Sequence, residues 1–241
     1  MQDREKIEHI FIDRQITSLI RTSIKAYKTA RLDRIALDHR YAYYSIQRLF
    51  DIVASSIALI LLAIPFLIVA ILIKRDDPQG PVFYSQIRLG KHQRPFKMYK
   101  FRSMVVDADK KLADLLKYNE VDGAMFKMKA DPRVTQIGHF IRKYSIDELP
   151  QLFNVLKGDM SLVGPRPPLE REMANYSEYA KQRLYVKPGC TGLWQISGRN
   201  SVGFDEMVEL DLQYIEKSSF WFDLKIMFLT VKIMIWPNSA Y

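Results

Sequence analysis

The dominant feature of the hydropathy pattern is a run without charge at residues 52–73. At 1.5 Å rise per residue these 22 positions make about 33 Å of helix, enough to cross a bilayer core. Helices of soluble cores are rarely so long and so uniformly apolar, so the run predicts membrane insertion. Pro65 lies beyond its middle, where the missing N–H and the bulky ring predict a kink. Arg40 and Arg48 precede the run and Lys74 and Arg75 follow it, and basic flanks prefer the cytoplasmic side. A kinked helix that dips in and returns satisfies both flanks, with half-helices of roughly 12 and 9 residues. A tilted span with a tolerated proline is the alternative. The pattern leaves both open.

Beyond the run the pattern changes to alternation. Residues 80–86 alternate after a turn at Gly80-Pro81, and residues 96–102 alternate apolar with cationic positions. Arg88, Gly90 and Lys91 read as a basic turn between them. This predicts a hairpin with Lys97 and Tyr99 on one face and Met98, Lys100 and Arg102 on the other. Helical spacing returns at 108–118, then a turn at 131–135 and a short helical run at 137–143 ending in Arg142-Lys143.

In residues 145–158, Leu149, Leu152, Phe153 and Leu156 recur at i, i+3, i+4 and i+7, which predicts an apolar helical stripe. Gly158 is placed to end that helix. Pro150 fits only its first turn, so the start falls near Asp147. Asp147 and Glu148 then lie at a helix N-terminus, where free N–H groups and the dipole favour negative charge. Plain helix capping accounts for them as well as any chemistry does. Further on, Pro165 and Pro167 hold Arg166 extended. A rigid arginine suits bidentate phosphate recognition, and a solvated linker is the alternative.

Residues 169–185 read as helical, 187–199 as a glycine-rich turn segment, and 205–217 as a polar helix. The aromatic and aliphatic run from 220 to Trp236 carries Trp221 at its other end and Lys225 and Lys232 between, which predicts a helix lying in a membrane interface. The organisation expected is a basic helical arm at 1–47, a membrane helix at 48–75, a catalytic core at 76–200 and C-terminal helices at 201–241. The fold class is α+β and mainly helical.

The formal net charge of +9 fits an anionic membrane surface, a polyphosphate substrate or a nucleic acid. The charge-free run and the lack of any nucleic-acid-binding motif set the last aside. Cys190 is the single cysteine, so there is no intrachain disulfide and no Cys/His zinc pattern, and a reducing compartment is expected. No apolar core falls in the first 30 residues, so no signal peptide is expected.

Seven short motifs then stand in order: Lys100-Phe101-Arg102-Ser103-Met104, Asp131-Pro132-Arg133-Val134-Thr135, Asp147-Glu148-Leu149-Pro150-Gln151, Gly158-Asp159-Met160-Ser161, Gly164-Pro165-Arg166-Pro167, Lys187-Pro188-Gly189 and Thr191-Gly192-Leu193-Trp194-Gln195. With them the chain closely resembles the bacterial sugar transferases, monotopic phosphoglycosyl transferases that act on polyprenol phosphate. The likeness covers about residues 46 to 241.

That resemblance implies a membrane enzyme on the cytoplasmic face of a bacterium. It implies transfer of a sugar 1-phosphate from a UDP-sugar to undecaprenyl phosphate with release of UMP, in exopolysaccharide or capsule synthesis. It favours a re-entrant helix kinked at Pro65, although Ile64 stands where many members have serine. By the same resemblance Asp147 and Glu148 are the catalytic dyad and Asp147 attacks phosphorus. Arg142 and Arg166 bind phosphate, and Lys100, Arg102 and Arg133 are further substrate-binding candidates. Mg²⁺ is the implied metal, with Asp147 its ligand. The glycine-rich Trp194 segment points to glucose or galactose, with an N-acetylated amino sugar as the alternative donor. A homodimer is a further expectation. The rival readings are a non-catalytic scaffold for polysaccharide assembly and a basic nucleic-acid binder.

Overall fold

The structure is a computed structural model that describes residues 32–120, 128, 130–198 and 202–235. Most of the arm expected at 1–47, together with Arg199 and Trp236, lies outside the described residues. The described part is mainly helical with a few short strands. It opens with helix α1 (Arg34–Asp38), capped by the Asp33 carboxylate on the amides of Ile35 and Ala36.

The apolar run forms two helices, α2 (Tyr41–Leu61) and α3 (Ala63–Asp76). They are longer than the 12 and 9 residues expected, because residues 41–51 before the charge-free stretch and 74–76 after it continue the same helices. The break falls at Leu62, three residues ahead of Pro65. A proline withholds its own N–H and its ring crowds the carbonyl four residues back, so the disturbance lands on the preceding turn. Pro65 itself sits in the first turn of α3, where no donor is needed. α2 is long and apolar enough to cross a membrane by length and composition. Around the break the side chains are bare: Ile60 is 76% exposed, Leu61 73% and Ile64 72%.

The outer ends of both helices dock on the same body. In α2, Arg48 donates to the carbonyls of Val155 and Leu156, and Asp51 accepts from the amide of Leu162 at 3.0 Å. In α3, Val69 and Ile73 are buried with Phe101 and Ile141. Fully burying such side chains contributes about 1.5–3 kcal/mol each.

The hairpin forms as expected. Strand β1 (Phe83–Leu89) pairs antiparallel with β2 (Pro95–Phe101), Gln86 opposite Met98. Arg88 lies within β1 rather than in the turn, which is made by residues 90–94. Helix α4 (Ala108–Leu115) follows and runs into a 3-10 turn ending at Tyr118. Helix α5 (Gln136–Lys143) is N-capped by the Thr135 hydroxyl on the amide of Gly138, and Asp76 from α3 accepts from the amide of Ile137. Helix α3 therefore sets the position of α5 directly.

Helix α6 (Gln151–Lys157) ends at Gly158 with φ 87°, as its glycine predicts. Its buried face is not the expected leucine stripe. Leu152 and Val155 are buried, but so are Gln151 and Asn154, and Phe153 is exposed. Asn154 rotates the helix because its side chain completes the edge of β2, accepting from the amide of Tyr99 (3.0 Å) and donating to the carbonyl of Lys97 (2.6 Å).

The remaining elements make the second core. Strand β3 (Ser161–Val163) pairs in parallel with β4 (Gly189–Thr191) across a crossover holding the small helix α7 (Glu178–Lys181). Helix α8 (Leu193–Ile196) leads to α9 (Phe204–Lys217) and α10 (Phe220–Ile235). α9 reads as polar but is buried along Met207–Ile215, with Glu209 and Asp211 partnered by Tyr179 and Arg183. α10 docks through Asp223 and Ile226 and leaves Trp221, Phe228 and Val231 exposed, so it is both a packed helix and one with a bare apolar face. Asp223 accepts from Tyr43 and Tyr214, each at 2.8 Å, which ties α10 to α2.

Candidate active site

The turn between α5 and α6 carries the two adjacent carboxylates. After α5 ends, Ser145 adopts left-handed φ/ψ of 56° and 22°. For a residue with a side chain this conformation costs of order 1–3 kcal/mol, and such strain concentrates at functional sites. It swings the chain into a 3-10 turn, Ile146–Glu148, one turn ahead of the α-helix proper. The expectation of a helix beginning near Asp147 is thus corrected: the dyad sits on its own tight turn, with Pro150 capping α6. Asp147 is 8% exposed and Glu148 partly exposed, paired with Lys100 at 2.6 Å from β2.

Both carboxylates line a cleft of about 470 Å³, together with Arg142, Arg166, Lys100 and Arg88. Five of the seven candidate residues come from three separate segments to this point, and Arg102 and Arg133 line the same cleft. Those last two are already engaged. The Arg102 guanidinium clasps Asp77 and the carbonyls of Asp77, Pro81 and Gly80, holding the turn that leaves α3. Arg133 makes a two-pronged contact with Asp131 at 2.6 and 2.9 Å. The Asp-x-Arg spacing within a turn is the local signal for that pair.

Arg166 is mounted with unusual rigidity. Prolines supply no N–H, yet the four consecutive carbonyls of residues 165–168 each accept from a different donor. Gly189 N reaches Pro165 O (2.9 Å), Arg183 Nη2 reaches Arg166 O (3.1 Å), Arg88 Nη1 reaches Pro167 O (3.1 Å) and Leu89 N reaches Pro168 O (3.0 Å). A Cβ on Gly189 would lie 2.0 Å from the amide nitrogen of Gly164, so only glycine permits this approach. Arg183 is in turn held by Asp211, both fully buried, at 2.6 Å, and by the Tyr176 hydroxyl at 2.8 Å. The Arg166 side chain contacts Glu172 at 3.3 Å and is otherwise presented to the cleft.

Arg88 escaped the sequence reading, hidden as one cation of a basic turn. Its signal was its place between Ile87 and Leu89 in strand alternation, which set its direction inward. Burial, followed by the nearby Arg166 charge, pushes its guanidinium down to about 9, still charged at neutral pH. Two buried guanidinium nitrogens, Arg88 Nε and Arg142 Nη1, have no hydrogen-bond partner among the described residues. An unmet buried donor costs about 1–3 kcal/mol, more when charged, and anionic oxygens arriving in the cleft are the natural acceptors. Cys190 is no rival nucleophile, because burial, then Glu148, pushes its thiol up and keeps it protonated.

The donor set suits a hard divalent cation. Mg²⁺ takes one or two carboxylates with substrate phosphates and water in the remaining positions, and Asp147 with Glu148 offers that. No group of three or more His, Cys, Asp or Glu that could cage a metal occurs among the described residues.

Residues 16–237 match the family described as "Bacterial sugar transferase". Over 203 residues the chain is 50% identical to the "Galactosyl transferase CpsE" of Streptococcus agalactiae serotype III (strain NEM316), covering 84% of this chain and 45% of that protein. It is 44% identical over 207 residues to the "Undecaprenyl-phosphate glucose phosphotransferase" of Komagataeibacter xylinus, covering 81% and 37%. Against the "Exopolysaccharide production protein ExoY" of Rhizobium meliloti (strain 1021) it is 42% identical over 199 residues, covering 81% and 88%. The chain thus spans less than half the length of the first two relatives and most of the third.

Proposed function

The chain belongs to the bacterial sugar transferase family, and from that premise we propose that it moves hexose 1-phosphate from a UDP-sugar to undecaprenyl phosphate, releasing UMP. The observation that carries the reading is the dyad of Asp147 and Glu148 in one cleft with Arg142, Arg166 and Lys100. Relatives named for galactose and for glucose make these the two hexoses to favour.

In the chemistry proposed, Asp147 attacks the phosphorus that bears the sugar. A carboxylate–phosphorus bond forms, the bridging P–O bond breaks, and UMP departs with the electron pair. No proton moves, because an ionised carboxylate needs no general base. The barrier is the meeting of anions, which the arginines lower by neutralising charge on the phosphoryl oxygens. A phosphate oxygen of the lipid then attacks the phospho-aspartyl group and restores the free carboxylate. Mg²⁺, held by Asp147 and Glu148, would add positive charge over the diphosphate. Arg142, Arg166 and Lys100 are assigned to phosphate. Arg102 and Arg133, already paired, are assigned to shaping the wall of the cleft.

One substrate is soluble and the other a long isoprenoid, so the cleft must stand at headgroup depth. A re-entrant α2–α3 hairpin accomplishes that from the cytoplasmic side. The reading is supported by both outer ends docking on one body while the residues at the break are bare. Cysteines introduced at His39 and Gln79 in a Cys190→Ser background should both resist an impermeant thiol reagent in intact cells. Labelling at only one of the two positions would mean that the chain crosses the bilayer.

The activity is tested by UMP release from UDP-galactose, UDP-glucose and their N-acetylated counterparts, with undecaprenyl phosphate. We expect release with one hexose, its loss on chelation by EDTA, and its recovery with added Mg²⁺. A purified, folded protein that releases no UMP from any of them would favour the scaffold reading.

A further inference from the structure

We propose that Arg88 is a further anion-binding residue of this cleft, placing its guanidinium against the diphosphate oxygens that Arg142 and Arg166 also grip. The proposal rests on the reading of the cleft as a UDP-sugar site and adds a residue that no motif singled out.

Four arginines are buried among the described residues: Arg88, Arg102, Arg133 and Arg183. Three of them answer to a carboxylate. Arg102 has Asp77, Arg133 has Asp131 and Arg183 has Asp211. Among the described residues Arg88 forms no ion pair. Its Nη1 goes to the Pro167 carbonyl and its Nη2 to Gln86 Oε1 at 2.8 Å, while Nε has no acceptor. A charge taken out of water with no carboxylate in contact is disfavoured. Here the strongest nearby charge is another cation, Arg166, whose own carboxylate contact is Glu172; Glu172 and Glu148 offset it more weakly from beyond ion-pair distance.

Such a pair of neighbouring guanidinium groups is unfavourable when the cleft holds no anion and favourable when it does. Arg142 Nη1, also buried and lacking an acceptor, lines the same cleft. The chemistry that satisfies all three is a multiply charged group with several oxygens, which a diphosphate is and a single carboxylate is not. The bond from Nη1 to Pro167 O serves the same end by fixing Arg88 relative to the loop that carries Arg166.

A role confined to mounting that loop makes the opposite forecast, so the two separate cleanly. Full-length Arg88→Met and Arg88→Lys proteins are titrated with inorganic pyrophosphate in Mg²⁺ buffer by calorimetry, and their Tm is measured without ligand. For Arg88→Met we expect pyrophosphate affinity to fall roughly 10- to 100-fold, with Tm unchanged or raised because a buried unpaired charge has gone. Arg88→Lys should keep part of the affinity. An Arg88→Met protein that binds pyrophosphate within about twofold of wild type but melts earlier overturns the proposal, as does a wild type that does not bind pyrophosphate. Should Arg88→Met fail to fold, Arg88→Lys decides: weakened binding upholds the assignment and unchanged binding defeats it. If pyrophosphate binding depends on Arg88 while no UDP-sugar is turned over, the anion site stands and the transferase reading falls.

Discussion

Asp147→Asn protein releases no UMP and makes no lipid-linked sugar, a loss of at least about 10⁴-fold, while keeping its fold and its affinity for UDP-sugar. The amide has the shape of the carboxylate, so the 3-10 turn and its neighbours persist. It lacks the negative charge and the nucleophilic oxygen, so phosphorus is not attacked. Arg142, Arg166 and Lys100 remain in the cleft, where the proposed mechanism has them hold the diphosphate. Glu148→Gln should retain less than about 1% of wild-type turnover, because it removes the carboxylate paired to Lys100 and one hard oxygen beside the reacting group. Steady-state UMP release and an independent titration with UDP-sugar separate these effects. An Asp147→Asn enzyme with measurable turnover would remove the nucleophile assignment.

Asp211→Asn lowers stability more than other single changes remote from the cleft. Asp211 and Arg183 are 0% and 1% exposed at the side chain and approach to 2.6 Å. Removing one partner strands the other as a buried charge, which costs about 3–5 kcal/mol. For a domain of this size that is a fall in Tm of about 6–20 °C, at 2–4 °C per kcal/mol. Activity in the surviving folded fraction should fall too, because Arg183 is what holds the Arg166 carbonyl. Replacing both partners with apolar residues, Arg183→Met with Asp211→Leu, should recover much of the Tm but not the activity. An Asp211→Asn protein that melts with wild type would show that the pair does not support the fold.

The features legible in the sequence are those whose cause is local. The charge-free run, the alternation of the hairpin and the left-handed glycine at 158 each depend on neighbours within a few residues. Asp147 and Glu148 stand out through their motif and both line the cleft, although the conformation of their turn was not legible. Ser145 in the left-handed region has no compositional signature, and so the tight turn that carries Asp147 read as the first turn of an ordinary helix.

What the sequence concealed is long-range. Helix α9 looks solvated because Glu209 and Asp211 are acidic, yet each is buried against a partner about 30 residues away. Three-residue strands paired across a crossover have too little periodicity to register. Asn154 turns α6 away from its leucine stripe by bonding to a strand more than 50 residues earlier. Arg102 reads as a substrate-binding candidate because Asp77, 25 residues earlier, is recognisable as its partner only once the chain closes.

The central claim is that the sugar phosphate rests on Asp147 between donor and acceptor. It is tested most directly by mixing the protein with UDP-galactose or UDP-glucose, labelled in the sugar, with Mg²⁺ and without undecaprenyl phosphate. The account predicts release of close to one equivalent of UMP per protein and a matching amount of label on the peptide that contains Asp147, discharged when the lipid phosphate is added. An enzyme that turns over with lipid present, but shows neither the UMP burst nor the labelled peptide in its absence, would contradict it.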